Sequence, residues 1–167
     1  LNLLFDAPVE KIEIPLETVF SKVEISHELQ EMGVRELVSV GYTRFEGSPV
    51  NRVHNIGVGV AKFNGLLIGP GEEFSFGKNL GPVDASTGYR KELVIKPEGT
   101  IPEYGGGICQ VSSTIYRGAL RAGLPITKRS PHSYAVSYYA QVDGHGLDAT
   151  VYPPAVDLKF KNDTPGF

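Results

Sequence analysis

The sequence predicts an α+β domain in which a cysteine-bearing helix packs on an antiparallel sheet. Three observations carry this expectation. Only 21% of the residues are charged, against 20 glycines and 12 prolines, a balance that favours a turn-rich, strand-containing domain over a helical bundle. An amphipathic run follows the single cysteine, Cys109, with apolar residues three and four apart, the period of a helix with one buried face. Short apolar or alternating runs then follow, separated by turn residues, the pattern of antiparallel strands. At 167 residues the chain is long enough for one domain with a full core.

Residues 1–37 read as the end of a preceding module and its connector, and residues 38–167 as the main domain. In the first part, Lys11-Ile12-Glu13-Ile14-Pro15-Leu16 alternates like an edge strand ended by proline. Ser26 can cap a short helix over His27–Met32, stopped by Gly33. Leu37–Tyr42 reads as a strand. Asn51 is placed to cap a helix over residues 52–64, closed by Gly65, with Val53, Ile56, Val60 and Phe63 as its buried stripe. Gly57 and Gly59 weaken that helix, which implies a second backbone packed close to it. His54 lies beside the stripe, as a packed histidine or as a substrate contact.

Leu66–Ile68 and Phe74–Phe76 read as short strands around the Gly69-Pro70-Gly71 turn. Residues 81–89 form a loop. Leu93–Lys96 is a strand ended by Pro97-Glu98-Gly99, and Ile101–Tyr104 leads into three glycines. The helix after Cys109 places Val111, Ile115, Ala119 and Ala122 on one face, joined by Tyr116 and Leu120. Gly123 and Pro125 end it. Ile126–Arg129, Val136–Tyr139, Asp148–Tyr152 and Leu158–Lys161 complete the expected strands.

The formal charge of -3 and pI near 5.8, with basic residues scattered, give no sign of a nucleic-acid binder. One cysteine excludes an intrachain disulfide and a cysteine-rich zinc site. No apolar run reaches membrane-spanning length. The chain begins at Leu1, so it is expected to be an excised fragment, with any export signal or anchor upstream.

The chemistry concentrates in Gly105-Gly106-Gly107-Ile108-Cys109-Gln110-Val111-Ser112-Ser113-Thr114. Gly106 and Gly107 let backbone pass close to a ligand. A helix starting at Cys109 aims free N–H groups and its positive dipole end at the sulfur, which favours thiolate near neutral pH. A cysteine nucleophile also needs a base and a group that orients the base. His132 and then Asp148 follow at strand starts and supply both, with His145, in a Gly-His-Gly turn, as the second choice of base. The backbone N–H of Cys109 and the side chain of Gln110 are candidate oxyanion donors. Plainer alternatives remain open: a buried apolar Cys109, a hydrogen-bonded strand-edge His132 and a turn-capping Asp148.

Asn51-Arg52-Val53-His54-Asn55-Ile56, Pro70–Phe76, the glycine–cysteine stretch, Pro131-His132-Ser133-Tyr134, Asp148-Ala149-Thr150-Val151 and Asp157–Thr164 together resemble a VanW domain over about residues 40 to 165. Residues 1–37 resemble the end of the peptidoglycan-binding module that often precedes such domains. The resemblance implies an extracellular Gram-positive cell-envelope protein, anchored to the membrane upstream of this segment. It implies L,D-transpeptidase activity, which makes 3-3 peptidoglycan cross-links, with Cys109, His132 and Asp148 as the catalytic residues. The partners would be peptidoglycan stem peptides, with no metal or organic cofactor. Arg52, Arg90 and Arg129 are candidates for binding stem carboxylates. Tyr104 and Tyr134 would line the groove, with His54, Gly106, Gly107, Gln110 and Ser112 as further substrate contacts. A cysteine peptidase or amidase acting on peptidoglycan, and a non-catalytic wall-binding module, are the alternatives. The order Cys-helix, His, Asp is also similar to the transglutaminase and papain-like core, an analogy of architecture rather than substrate.

Overall fold

The computed structural model describes residues 25–96 and 99–167; the strand expected over Lys11–Leu16 lies outside them. In chain order come α1 (His27–Glu31), α2 (Val50–Ala61), β1 (Glu73–Ser75), α3 (Phe76–Leu80), β2 (Lys91–Lys96) and β3 (Gly99–Tyr104). They are followed by α4 (Ile108–Arg121), β4 (Ile126–Lys128), α5 (Ser137–Asp143) and β5 (Lys159–Lys161). Both sheets are antiparallel. One has the order β1-β5-β4, and the other is the hairpin β2-β3. The class is α+β.

Aromatic stacking ties the three-stranded sheet together. Phe74 of β1 lies opposite Phe160 of β5, with ring centroids 4.5 Å apart, while Phe63 stacks on Phe76 at 4.6 Å. Ile56 of α2 and Val111, Tyr116 and Ala119 of α4 join the same buried cluster. Burial of this kind of surface supplies about 1.5–3 kcal/mol per large apolar side chain.

Helix α4 starts where expected and ends on Gly123 at φ 74°. Its buried face holds more polar residues than the period suggested. Ser112, Ser113 and Arg117 are buried, whereas Leu120 is exposed. Each of these three has a partner, as burial requires. Ser112 Oγ donates to Ala149 O at 2.6 Å and Ser113 Oγ accepts from Ala149 N at 3.1 Å. Those hydroxyls take backbone groups that a neighbouring strand would otherwise use. Hence Asp148–Tyr152 makes only isolated bridges, Ser130 with Thr150 and Tyr152 with Val156, instead of the expected strand.

Helix α2 turns a different face inward from the one its apolar residues suggested. Arg52, Asn55, Ile56 and Gly59 are buried, while Val53 and Val60 are exposed. Its N-cap is Pro49 rather than Asn51, with no side-chain cap bond. Polar groups win the inner face because waiting acceptors and donors meet them there. Of the two helical glycines, Gly59 is in close contact: an added Cβ would lie 3.3 Å from Val111 Cγ2. Gly57 faces open space.

Leu37–Tyr42 forms no strand. Its segment is strapped to α4 by side chains, with Arg121 donating to Val40 O, Arg117 to Tyr42 O and Gln110 to Arg44 O. Ser39 Oγ donates to Gly118 O at 2.7 Å. Gly41 permits the approach, since a Cβ there would lie 2.0 Å from Thr114 O. Leu66–Ile68 forms no strand either: Asn162 Nδ2 donates to Ile68 O at 2.8 Å. Phe76 begins α3 instead of extending β1, under a Ser75 cap that accepts from Lys78 N. Val136–Tyr139 is the start of α5 rather than a strand. Arg117 donates to Tyr139 O, and Arg117 and Arg121 both pair with Asp143 at the helix end, where cations suit the dipole. Tertiary contacts there override the β-propensity of Val136 and Tyr139.

Candidate active site

The three glycines are needed because their loop threads between α2 and β2. A Cβ on Gly106 would lie 2.7 Å from Leu93 O, and Gly107 sits at φ 111°, with a Cβ position 3.0 Å from Arg52 Cγ. Buried Asn55 pins the same loop. Its Nδ2 donates to Gly106 O and Arg90 O at 3.0 Å each, and its Oδ1 accepts from Arg90 N at 2.8 Å. This clamp sets Cys109 as the second residue of α4. Cys109 is half-buried and opens onto a cavity of about 1180 Å³. Its Sγ lies 3.8 Å from Thr150 Oγ1 and 3.7 Å from Val151 O.

His132 and Asp148 approach from irregular segments, not from strand starts. Asp148 Oδ2 accepts from His132 N at 2.8 Å and lies 2.5 Å from His132 Nδ1. With the carboxylate ionised, that contact places a proton on Nδ1 and leaves Nε2 as the ring's proton acceptor. The His132 side chain is 3% exposed, and its Nε2 is buried without a hydrogen-bond partner. A buried polar atom left unpaired is costly. The group it couples to is the Cys109 thiol. Arg129 secures the carboxylate from behind, with NH2 3.2 Å from Asp148 Oδ1 and Nε donating to Asp148 O at 2.7 Å.

The electrostatics follow that chain. Burial pushes the Cys109 thiol up, but His132, with smaller help from the Val151 backbone and Thr150, outweighs it and holds the thiol below its ordinary value. Burial pushes His132 down, but Cys109 and Asp148 together hold it above the ordinary histidine range. Burial likewise raises Asp148, and His132 followed by Arg129 brings it below the ordinary carboxylate range. All three shifts favour a thiolate–imidazolium pair backed by a carboxylate.

The remaining sequence-selected residues divide into two groups. Arg52, Tyr104, Gly107 and Tyr134 line the cavity with Cys109 and His132, while Asp148 stands behind the wall on His132. Tyr134 is exposed, with its hydroxyl 3.3 Å from Thr100 Oγ1. The others lie off the cavity wall, and most have structural partners. Gln110 Oε1 accepts from Arg52 at 2.8 Å and its Nε2 donates to Arg44 O, which turns it away from any oxyanion. Ser112 is fully buried against Ala149. Gly106 is packed on β2, and His54 Nε2 lies 2.8 Å from Gly88 O. Arg129 holds Asp148 instead of waiting for a substrate carboxylate. Arg90 is exposed away from the cavity, as is His145 in its turn.

Three contributors have roles that sequence reading did not assign. Asn55 carried a signal, being polar at a buried position of the period 52, 55, 56, 59. Arg129 stood next to the right elements with nothing to pair it to Asp148. Tyr139, whose ring centroid lies 5.1 Å from that of His132, was hidden by the strand reading of its segment. Among the described residues no cluster of histidine, cysteine and carboxylate side chains could hold a metal ion. No helix among them is long and apolar enough to cross a membrane.

Comparison with known proteins places this architecture. The family described as VanW like protein matches residues 51–167. The chain is 34% identical over 152 residues to the uncharacterized protein YoaR of Bacillus subtilis, covering 91% of this chain and 48% of that protein. It is 35% identical over 117 residues to the vancomycin B-type resistance protein VanW of Enterococcus faecalis, covering 68% of this chain and 42% of that protein. The chain thus spans less than half the length of these relatives. No solved structure matches it. The chain belongs to the VanW family.

Proposed function

We propose that this VanW-family domain is a cysteine acyltransferase of the bacterial cell envelope, an L,D-transpeptidase that joins peptidoglycan stem peptides by 3-3 cross-links. The relative named for vancomycin resistance supports a cell-wall role. The observation that carries the chemistry is the buried, unpaired His132 Nε2 coupled to Cys109 and backed by Asp148. An imidazole held at Nδ1 by a carboxylate, with Nε2 left for a thiol, has the arrangement of a general base next to its nucleophile.

In this reading Cys109 Sγ attacks the carbonyl carbon of the third residue of a donor tetrapeptide. The C–N bond to terminal D-Ala breaks, and His132 gives its proton to the departing amine. The stem is left as a thioester. The side-chain amine of a diamino acid on a neighbouring stem attacks that thioester, and His132 takes its proton as the C–S bond breaks and thiolate returns. Tyr104, Tyr134 and Gly107 form the walls on which the stem lies, and the charge of Arg52 in the cavity lining favours its carboxylates. The domain acts on the outer face of the cell, held there by an anchor upstream of this segment.

Incubation with a tetrapeptide muropeptide, followed by intact-mass measurement, tests the proposal. A tripeptide adduct on the wild-type protein and none on Cys109→Ala is the expected result. Muropeptide dimers with 3-3 links then identify the transferase, whereas trimmed monomers identify water as acceptor and a peptidase. Absence of both adduct and product overturns the catalytic reading in favour of a wall-binding module.

A further inference from the structure

Acyl transfer to a thiol builds negative charge on the attacked carbonyl oxygen, and two donors usually meet it. Ile108 N and Gln110 N are held by Gly105 O and Gly107 O, which leaves the N–H of Cys109 as the donor beside the sulfur. The Gln110 side chain is committed to Arg52 and Arg44. A second donor must therefore come from elsewhere on the cavity wall.

Tyr139 is on that wall and is 6% exposed. Its ring packs on His132 at 5.1 Å between centroids. Its backbone carbonyl accepts from Arg117, which also pairs with Asp143 of the same helix. Its hydroxyl interacts with the Arg52 guanidinium, and Tyr139, Arg52 and Cys109 share the wall of the same cavity. We infer that the Tyr139 hydroxyl, polarised by Arg52, is the second oxyanion donor for acylation of Cys109. This assignment rests on the acyl-transfer reading above. No bond to Tyr139 forms or breaks: its proton shortens a hydrogen bond to the developing alkoxide and relaxes when the thioester forms. Burial, reinforced by the Cys109 charge, holds the phenol above the ordinary tyrosine range, so it remains a donor wherever the thiolate exists. Arg52 then has a role at the reacting carbonyl, through Tyr139, in addition to its pull on carboxylates.

Tyr139→Phe keeps the ring on His132 and removes only the hydroxyl. The probe is p-nitrophenyl acetate, a small ester that acylates a thiol without using the peptide groove, with iodoacetamide as a partner probe whose displacement passes through no oxyanion. Tyr139→Phe is expected to slow acylation about 10- to 100-fold, with alkylation by iodoacetamide and its pH profile unchanged. Equal acylation of wild type and variant, fast or slow, overturns the assignment. So does a parallel loss in both probes, which would place Tyr139 at the thiolate instead. Wild-type acylation by the ester with none by the tetrapeptide removes the proposed substrate and leaves the Tyr139 assignment standing.

Discussion

Asp148→Asn is the sharpest perturbation of the thiol–imidazole pair, because it conserves shape and fails in either orientation. Asp148 Oδ2 meets two groups of His132, the backbone N–H and Nδ1, while Oδ1 meets Arg129 NH2 at 3.2 Å. If the asparagine oxygen replaces Oδ2, its NH2 faces the Arg129 donor. If the amide flips, its NH2 faces His132 N–H and forces the Nδ1 proton onto Nε2, where it blocks acceptance from the thiol. Each orientation loses at least one charge-assisted hydrogen bond, worth about 1.5–3 kcal/mol. That converts to an acylation rate about 10- to 150-fold lower. Iodoacetamide alkylation followed against pH reports the pair directly. The midpoint for Asp148→Asn is expected at higher pH than for wild type, because the charge that favours imidazolium is gone. The stability signature has a defined sign. The Asp148 carboxyl is depressed in the folded protein, so its contribution is present above the ordinary aspartate value of about 3.9 and is lost as pH falls through its folded value. The gap in melting temperature between wild type and Asp148→Asn should therefore shrink on acidification through that window. An alkylation profile in Asp148→Asn that superimposes on wild type would refute the coupling.

Two further predictions separate packing from propensity. Gly57→Ala adds a methyl to open space within α2 and should raise stability by about 0.5–1 kcal/mol, read as an increase in the urea midpoint. Gly106→Ala puts a Cβ against β2 backbone and should cost about 1–3 kcal/mol, with the thiol's alkylation profile moving toward that of an ordinary cysteine. Arg117→Met leaves the carbonyls of Tyr42, Tyr139 and Leu147 without this donor and breaks its buried pair with Asp143, which keeps only Arg121. A loss of about 3–5 kcal/mol is expected in denaturant unfolding, together with protease cleavage in the strap over residues 39–44.

Much of the frame was legible in the chain because local rules agree with the final structure. Helix α4 has an apolar period, a glycine-rich entry and a Gly123 exit, and nothing in its surroundings opposes them. Phe74 and Phe160 fall in short segments bounded by turns and become sheet partners. The glycine run before Cys109 marked a loop forced into close quarters, and His132 and Asp148 are residue types whose chemistry suggests itself before their distance is known. The family motifs in the chain agree with the match over residues 51–167.

What only the tertiary structure decided is where polar groups find partners. Apolar periodicity pointed to Val53 and Val60 as the inner face of α2. Arg52 and Asn55 occupy it instead, because Ser48, Gln110 and the backbone of Arg90 and Gly106 receive their hydrogen bonds. Tyr139 sits on a helix, despite its strand-like neighbours, because Arg117 and Arg121 gather the end of α5. Arg129 turns to Asp148, and Gln110 turns away from Cys109, for the same kind of reason. A hydrogen bond between distant residues depends on a meeting that neither local sequence records. The identities of Cys109, His132 and Asp148 could be read in order along the chain; the meeting of Cys109 and His132 on one cavity with Asp148 behind them, and the arginine and tyrosine that surround them, exist only once the chain has folded.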